Sequence, residues 1–153
     1  NCDTDLVVFL DSDCTFDPTY ISEMLNFLDP DVDIVNGSPY HPEGDIEGVK
    51  KGRLLISNTA NAFYKLLVDK NIYTYTSIFK MYRTSKIRNI ILETKGFVAV
   101  TELFVKCILN GANVKEFPCI LKIRKFGDSK IHILNSTKNH LLFMNKLIFK
   151  NTL

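Results

Sequence analysis

Leu6-Val7-Val8-Phe9-Leu10 is the first clear pattern in the chain, a continuous apolar run rich in β-branched residues. Such a run predicts a strand buried on both faces in a parallel sheet. Asp17-Pro18-Thr19 carries helix-start chemistry, and Ile21, Met24, Leu25 and Leu28 then recur at helical spacing until Asp29-Pro30 stops them. Val32-Asp33-Ile34-Val35 reads as a second strand. Strand, helix and strand in so few residues predict a βαβ unit and an α/β fold. Residues 37–48 (GSPYHPEGDIEG) concentrate Gly, Pro and acids, which predicts a long loop of the kind that carries function. A helix is expected from Val49 to Val68, with Leu55, Ala62 and Leu66 on one face and Phe63 beside them. Tyr73–Phe79 favours extended structure. A further helix is expected over Thr101–Asn110, with Thr101 as N-cap and Gly111 as its stop. Val114–Ile123 reads as another strand. The tail Ile133–Lys150 predicts a helix with a narrow polar stripe of Asn139, Lys146 and Lys150. The parse is one domain over residues 1–131, followed by a C-terminal amphipathic helix over 132–153.

Composition sharpens this picture. The chain has 153 residues, 46% hydrophobic and 24% charged, enough for a sizeable core and unlike a disordered or collagen-like chain. Its net charge of +2 conceals a split. Residues 1–49 hold 12 of the 17 acids and no Lys or Arg, so all 19 bases lie downstream. That asymmetry fits an acidic pole for cations and a basic one for anions, or two solvated faces of opposite sign. Cys2, Cys14, Cys107 and Cys119 show no ligand or disulfide spacing, and His41, His132 and His140 do not pair with them. Reduced thiols in a cytosolic protein are expected, without a zinc site. No uncharged apolar run approaches membrane-spanning length. Asn1 leads almost at once into the first strand with no initiator Met, so the chain reads as a fragment.

The chemistry concentrates at the end of the first strand, in Asp11-Ser12-Asp13. Alternation predicts that Asp11 and Asp13 point the same way just past the strand's carboxyl end, where open α/β sheets bind ligands. Two close carboxylates repel unless a cation sits between them or one takes a proton. Hard oxygen ligands suit Mg²⁺ or Mn²⁺, which keep part of their shell for waters and substrate phosphates. The plain alternative is a polar turn whose aspartates cap the following helix. Two reactions use the sharper arrangement. In glycosyl transfer, a metal neutralises the diphosphate leaving group of a nucleotide-sugar. In haloacid-dehalogenase-type phosphatases, Asp11 of FLDSDCTF (Phe9–Phe16) would be the nucleophile and Asp13 the acid/base. The phosphatase pattern also needs a late acidic pair, and Gly127-Asp128-Ser129 supplies only one acid.

Further segments carry a family resemblance. GSPYHPEGD (Gly37–Asp45) precedes Arg53, Ser57 and Asn61 in a helix, and TSIFKMYR (Thr76–Arg83) follows. Then come KGFVAVTELFVKCILNGANVKEFPCILKIR (Lys95–Arg124) and RKFGDSKI (Arg124–Ile131). In this order, behind the DSD strand, the chain resembles the family 2 glycosyltransferases of GT-A fold. It is most similar to the branch containing dolichol-phosphate mannosyltransferases and bacterial polyprenyl-phosphate sugar transferases. The resemblance runs from about Asp5 to Lys130, and the order and spacing of the motifs are more specific than any one of them.

The resemblance implies a mixed sheet with flanking helices, the C-terminal portion of a Rossmann-like nucleotide-diphospho-sugar transferase fold. It assigns Asp11 and Asp13 to Mg²⁺ or Mn²⁺ and the donor diphosphate. Glu102 matches the acid at the start of an active-site helix, a general base in relatives with hydroxyl acceptors and a positioning group where the acceptor is a phosphate. By itself Glu102 reads as a first-turn acid favouring the helix dipole. Arg124 and Lys130 match a basic loop over the phosphates, and Arg53 matches a basic position near the donor or acceptor phosphate. The implied reaction is inverting transfer of a sugar to a polyprenyl phosphate or a saccharide, at the cytoplasmic face of a membrane and without a nucleic-acid partner. Pro39 stands where the family usually has Arg, and Ile78 where it commonly has Gly. The family's opening strand and Asp/Ser-rich nucleotide turn have no counterpart before Asp11. The 153-residue chain alone is therefore expected to bind nucleotide-sugar poorly and to be inactive alone. A truncated, inactive interaction domain is the reading from a different class.

Overall fold

The computed structural model describes residues 3–123 and 133–149. Along the chain run β1 (Leu6–Phe9), α1 (Tyr20–Leu25), β2 (Ile34–Ser38), β3 (Asp45–Glu47), α2 (Lys51–Leu67) and β4 (Lys80–Arg83). They are followed by α3 (Thr84–Ile87), α4 (Phe97–Leu109), β5 (Val114–Pro118), β6 (Ile120–Lys122) and α5 (Ile133–Phe149). The fold is α/β with a mixed sheet, as expected. Four strands lie in the order β1-β4-β2-β5, with β4 antiparallel to both neighbours and β2 parallel to β5. The first crossover thus skips a strand: β1 and β2 run the same way, but β4 lies between them. β1 is half-buried along its length, not buried on both faces as its apolar run predicts.

Strand alternation divides the core in two. Ile34 and Tyr82 face one side with Tyr64, Tyr75, Phe104 and Phe143. Val35, Met81 and Phe79 face the other with Phe16, Met24 and Phe117. α1 covers the second side through Met24, while α2, α4 and α5 cover the first. Phe16 stacks on Phe79 at 5.2 Å between ring centroids, and Tyr64 on Tyr75 at 5.5 Å. Each such buried aromatic contributes about 1.5–3 kcal/mol.

Several elements depart from the sequence pattern. α2 forms as expected, but Leu55, Phe63 and Leu66 are 67, 49 and 82% exposed, and Ala62 is exposed too. Its buried positions are Asn61 and Tyr64. The loop 37–48 contains β3, which pairs in parallel with β6. Tyr73–Phe79 is not a strand; the strand is KMYR directly after it. α4 begins at Phe97 behind Gly96 (φ 66°), so Thr101 is a buried mid-helix residue and not a cap. Gly111, at φ 82°, supplies the left-handed stop expected there. The strand expected over Val114–Ile123 breaks at Cys119, and β6 leaves the main sheet.

α5 lies against α2 and α4, burying Phe143 and Met144. Its Lys150 lies outside the described residues. Among the described residues no helix is long and apolar enough to cross a membrane. The charge split is closed in part by pairing across the sheet's lower end, Lys115 to Asp29 at 2.7 Å and Lys86 to Asp33 at 3.1 Å.

Candidate active site

The strand register brings the motifs to one edge. Phe9 lies opposite Lys80, Lys80 opposite Asn36, and Asn36 opposite Glu116. Just beyond that row, β1 and β2 end and the antiparallel β4 begins. The segments 10–13, 39–44 and 73–79 therefore share the carboxyl edge of β1 and β2, the ligand-binding edge of such sheets.

Asp11 and Asp13 are half-buried there, on a turn and not on the strand itself. Asp13 Oδ1 accepts the Thr15 backbone N–H at 3.1 Å, spanning Cys14, whose φ of 53° is left-handed. This Asx-type turn sets the Asp13 carboxylate without depending on strand alternation. Among the described residues, no three His, Cys, Asp or Glu side chains converge into a metal cluster. The donor set present is two carboxylates, a chemistry that fits a hard cation completing its shell with water and phosphate.

The segment 73–77 leads into β4 at this edge, and side chains hold its backbone. Glu116 Oε2 accepts the Tyr73 N–H at 2.8 Å, and Oε1 accepts the Thr74 N–H at 3.1 Å. Asn61 Oδ1 accepts the N–H groups of Tyr75 (2.9 Å) and Thr76 (3.2 Å). Asn36 Nδ2 donates to Thr74 O at 2.7 Å and to Glu116 Oε1 at 3.0 Å. The fully buried Lys80 amine donates to the carbonyls of Ser77 and Tyr75 and sits 4.7 Å from the Phe104 ring centroid. Burial pulls the Lys80 amine down to about 7, against the opposing pull of Glu116 and Cys119. The Ser38 and Thr74 hydroxyls meet at 2.7 Å, and those of Ser57 and Thr76 at 3.0 Å. The GSPY motif, the α2 motif and the TSIFKMYR motif are thus one hydrogen-bonded unit. Gly37 is needed where these meet. A Cβ there would lie 2.6 Å from the Phe79 ring and 2.9 Å from the Phe79 carbonyl oxygen.

Glu102 does not face open solvent. It is 0% exposed, and its carboxylate accepts from the Glu93 N–H (2.9 Å), the Thr94 N–H (2.8 Å) and the Thr94 hydroxyl (2.6 Å). Lys106 adds an ion pair at 2.8 Å. Burial alone would raise this carboxyl, but the donors outweigh it and hold it below its ordinary value. The geometry is that of an anchor for residues 91–96. Arg53 is exposed in the first turn of α2, one turn before Ser57, and the Tyr40 hydroxyl is hydrogen-bonded to Ser57 near it. Arg124 and Lys130 lie outside the described residues. Sequence reading passed over Glu116, Asn36 and Lys80. Polar residues inside otherwise strand-like segments were the available signal.

The family model described as Glycosyl transferase family 2 matches residues 1–91. The chain belongs to this family. The match displaces the phosphatase reading of Asp11, which shared only the acidic strand end. Among curated relatives, this glycosyltransferase chain is similar to the polyprenol monophosphomannose synthase of Mycolicibacterium smegmatis. The two are 30% identical over 129 residues, 82% of this chain and 49% of the relative. It is also similar to the undecaprenyl-phosphate mannosyltransferase of Micrococcus luteus, 25% identical over 130 residues, 83% of this chain and 53% of the relative. The chain spans about half the length of the curated relatives it matches.

Proposed function

We propose that this chain contributes the acceptor side and the diphosphate end of a glycosyltransferase that moves a sugar, mannose in the first instance, from a nucleotide-diphosphate donor to a polyprenyl phosphate. The observation that carries the reading is the joining of three family motifs in one hydrogen-bonded unit, in a chain similar to two mannosyl-transferring relatives named for polyprenyl acceptors.

Asp11 and Asp13 would hold Mg²⁺ or Mn²⁺, and the bound ion would neutralise charge growing on the departing diphosphate. An oxygen of the acceptor phosphate attacks the anomeric carbon from the face opposite the diphosphate. One carbon–oxygen bond forms as the other breaks, the nucleoside diphosphate leaves, and the configuration inverts. A phosphate oxygen is already ionised near neutrality, so no general base is required. That agrees with a Glu102 carboxylate whose acceptor positions are taken. Arg53 supplies positive charge at the acceptor side, and Arg124 and Lys130 are assigned to the phosphates on family grounds. The segment 73–77, clamped from β2, β5 and α2, keeps the acceptor wall in place, a preorganisation worth more than added contacts.

Asp13→Asn tests the reading. Asn keeps the oxygen that accepts the Thr15 N–H, so the turn survives while the charge is lost. Turnover of a nucleoside-diphosphate mannose with a polyprenyl phosphate by the intact protein should fall at least a hundredfold, at an unchanged unfolding midpoint. Retained turnover overturns the diphosphate assignment, and a product with the donor's anomeric configuration overturns inversion.

A further inference from the structure

α2 and α5 enclose a cleft of about 400 Å³, within the ~300–1,000 Å³ range of small-molecule sites. Its apolar lining comes from Leu55, Ile56 and Phe63 of α2, Phe97 of α4, and Leu141 and Met144 of α5. Met144 is buried, whereas Leu55, Phe63, Phe97 and Leu141 remain 67, 49, 46 and 56% exposed. Leu55 and Phe63 are side chains that the periodicity of α2 assigns to a core. Left in water around a concavity, the exposed lining residues form the kind of contiguous apolar surface that marks a binding site. At the start of α2 the lining turns polar, with Arg53, Ser57 and Thr76. Ser57 and Thr76 belong to the hydroxyl network that joins the cleft to the clamped segment 73–77.

We infer that this cleft seats the apolar chain of an isoprenoid-type lipid phosphate, over the units next to its phosphate, with the phosphate at the Arg53–Ser57–Thr76 end. The inference rests on the proposed function, which it deepens by naming where the acceptor's tail lies. An amphiphile with an anionic head matches the lining: a cation and hydroxyls at one end, then a mainly apolar wall in which Thr59, Thr137 and His140 are interspersed. A helix or a flat bilayer would cover the rim residues but leave the concavity between the two helices unfilled. The polar end includes Thr76, whose hydroxyl meets that of Ser57, so the seat ends at the clamped segment that leads into β4.

Thr59 lines the cleft, is exposed, and has its hydroxyl bonded only to the Leu55 carbonyl one turn earlier, at 2.8 Å. Thr59→Trp should therefore fill the space without disturbing the core. Leu141→Trp does the same from the α5 wall. Farnesyl phosphate binding to the intact protein, measured by calorimetry without donor, should weaken at least tenfold in each variant at an unchanged urea midpoint. Farnesol should bind more weakly and lose affinity in the same variants, and inorganic phosphate should not displace it. A diazirine-bearing farnesyl phosphate should label peptides covering residues 55–63 and 136–144 of the wild-type protein.

Unchanged affinity in both variants, or labelling confined to other segments, overturns the cleft assignment. So does loss of binding to phosphatidylglycerol vesicles in Thr59→Trp while farnesyl phosphate affinity stays the same, since the face would then be a bilayer contact. Mannosyl transfer is read separately. Lipid binding that follows the cleft variants, in a protein that transfers no sugar, supports the cleft and overturns the proposed reaction. Transfer with an unchanged KM for lipid in Thr59→Trp overturns the cleft and leaves the reaction standing.

Discussion

Glu102→Gln keeps the size of the side chain and removes its charge, which separates an anchor from a base. The carboxylate is fully buried and takes four donors: two backbone N–H groups, the Thr94 hydroxyl and the Lys106 amine. A glutamine offers one acceptor oxygen and turns an NH₂ toward the remaining donors. The Thr94 hydroxyl can rotate away, but one backbone N–H of Glu93 or Thr94 is left facing a donor, at about 1–3 kcal/mol. The ion pair is also lost. Lys106 keeps the Ile91 carbonyl at 2.8 Å and Glu93 at 3.4 Å, which softens that loss. The sum belongs at the lower end of the range for breaking one side of a buried pair, about 3 kcal/mol. For a chain of this size that lowers the melting temperature by about 6–12 °C. The sign with pH follows from the depressed carboxyl. Its contribution is complete above the ordinary value of 4.5 and is lost as pH falls through the lower folded value, so the gap between wild type and variant should hold at neutrality and close in acid. Urea unfolding followed by far-ultraviolet circular dichroism reads the gap at several pH values. A stability within 1 kcal/mol of wild type at pH 7, together with a thousandfold fall in kcat, would refute the anchor and make Glu102 the base.

Two further outcomes follow from packing and burial. Gly37→Ala places a methyl 2.6 Å from the Phe79 ring in the centre of the sheet, and should destabilise the protein by about 1–3 kcal/mol in the same urea experiment; a neutral result would mean that β2 and the Phe79 segment move apart freely. Lys80→Met should change the pH dependence of stability. With its amine pulled down to about 7 in the folded protein against 10.5 in the unfolded chain, Lys80 makes the wild type gain stability relative to the variant as pH rises from about 7, by up to about 1.4 kcal/mol per unit. A gap that is flat between pH 7 and 9 refutes the burial argument.

The elements read correctly from sequence are those where local pattern and tertiary role agree. β2 is apolar because it is central, and Gly111 ends α4 because only a left-handed residue fits there. The misreadings share a physical cause. Tyr73–Phe79 has strand composition, yet its N–H groups go to the side chains of Glu116 and Asn61, so no ladder can form until Lys80. Glu116, an acid on a strand, reads as surface when only its neighbours in sequence are known; its partners lie 42 and 43 residues away. In α2 the conflict is inverted. Leu55, Phe63 and Leu66 point to solvent, while Asn61 and Tyr64 are buried. Asn61 is inside because it terminates the loop's hydrogen bonds, and of the exposed residues Leu55 and Phe63 line the cleft beside α5. Violations of local pattern are expected where a fold yields to function. In this chain they cluster around one loop and one cleft: buried polar groups on the sheet side of segment 73–77 and exposed apolar groups along α2 beside it. The places where periodicity fails therefore bound the proposed acceptor side more narrowly than the DSD motif does. An acidic turn fits several chemistries, whereas a clamped loop at the head of an apolar cleft fits an amphiphilic phosphate.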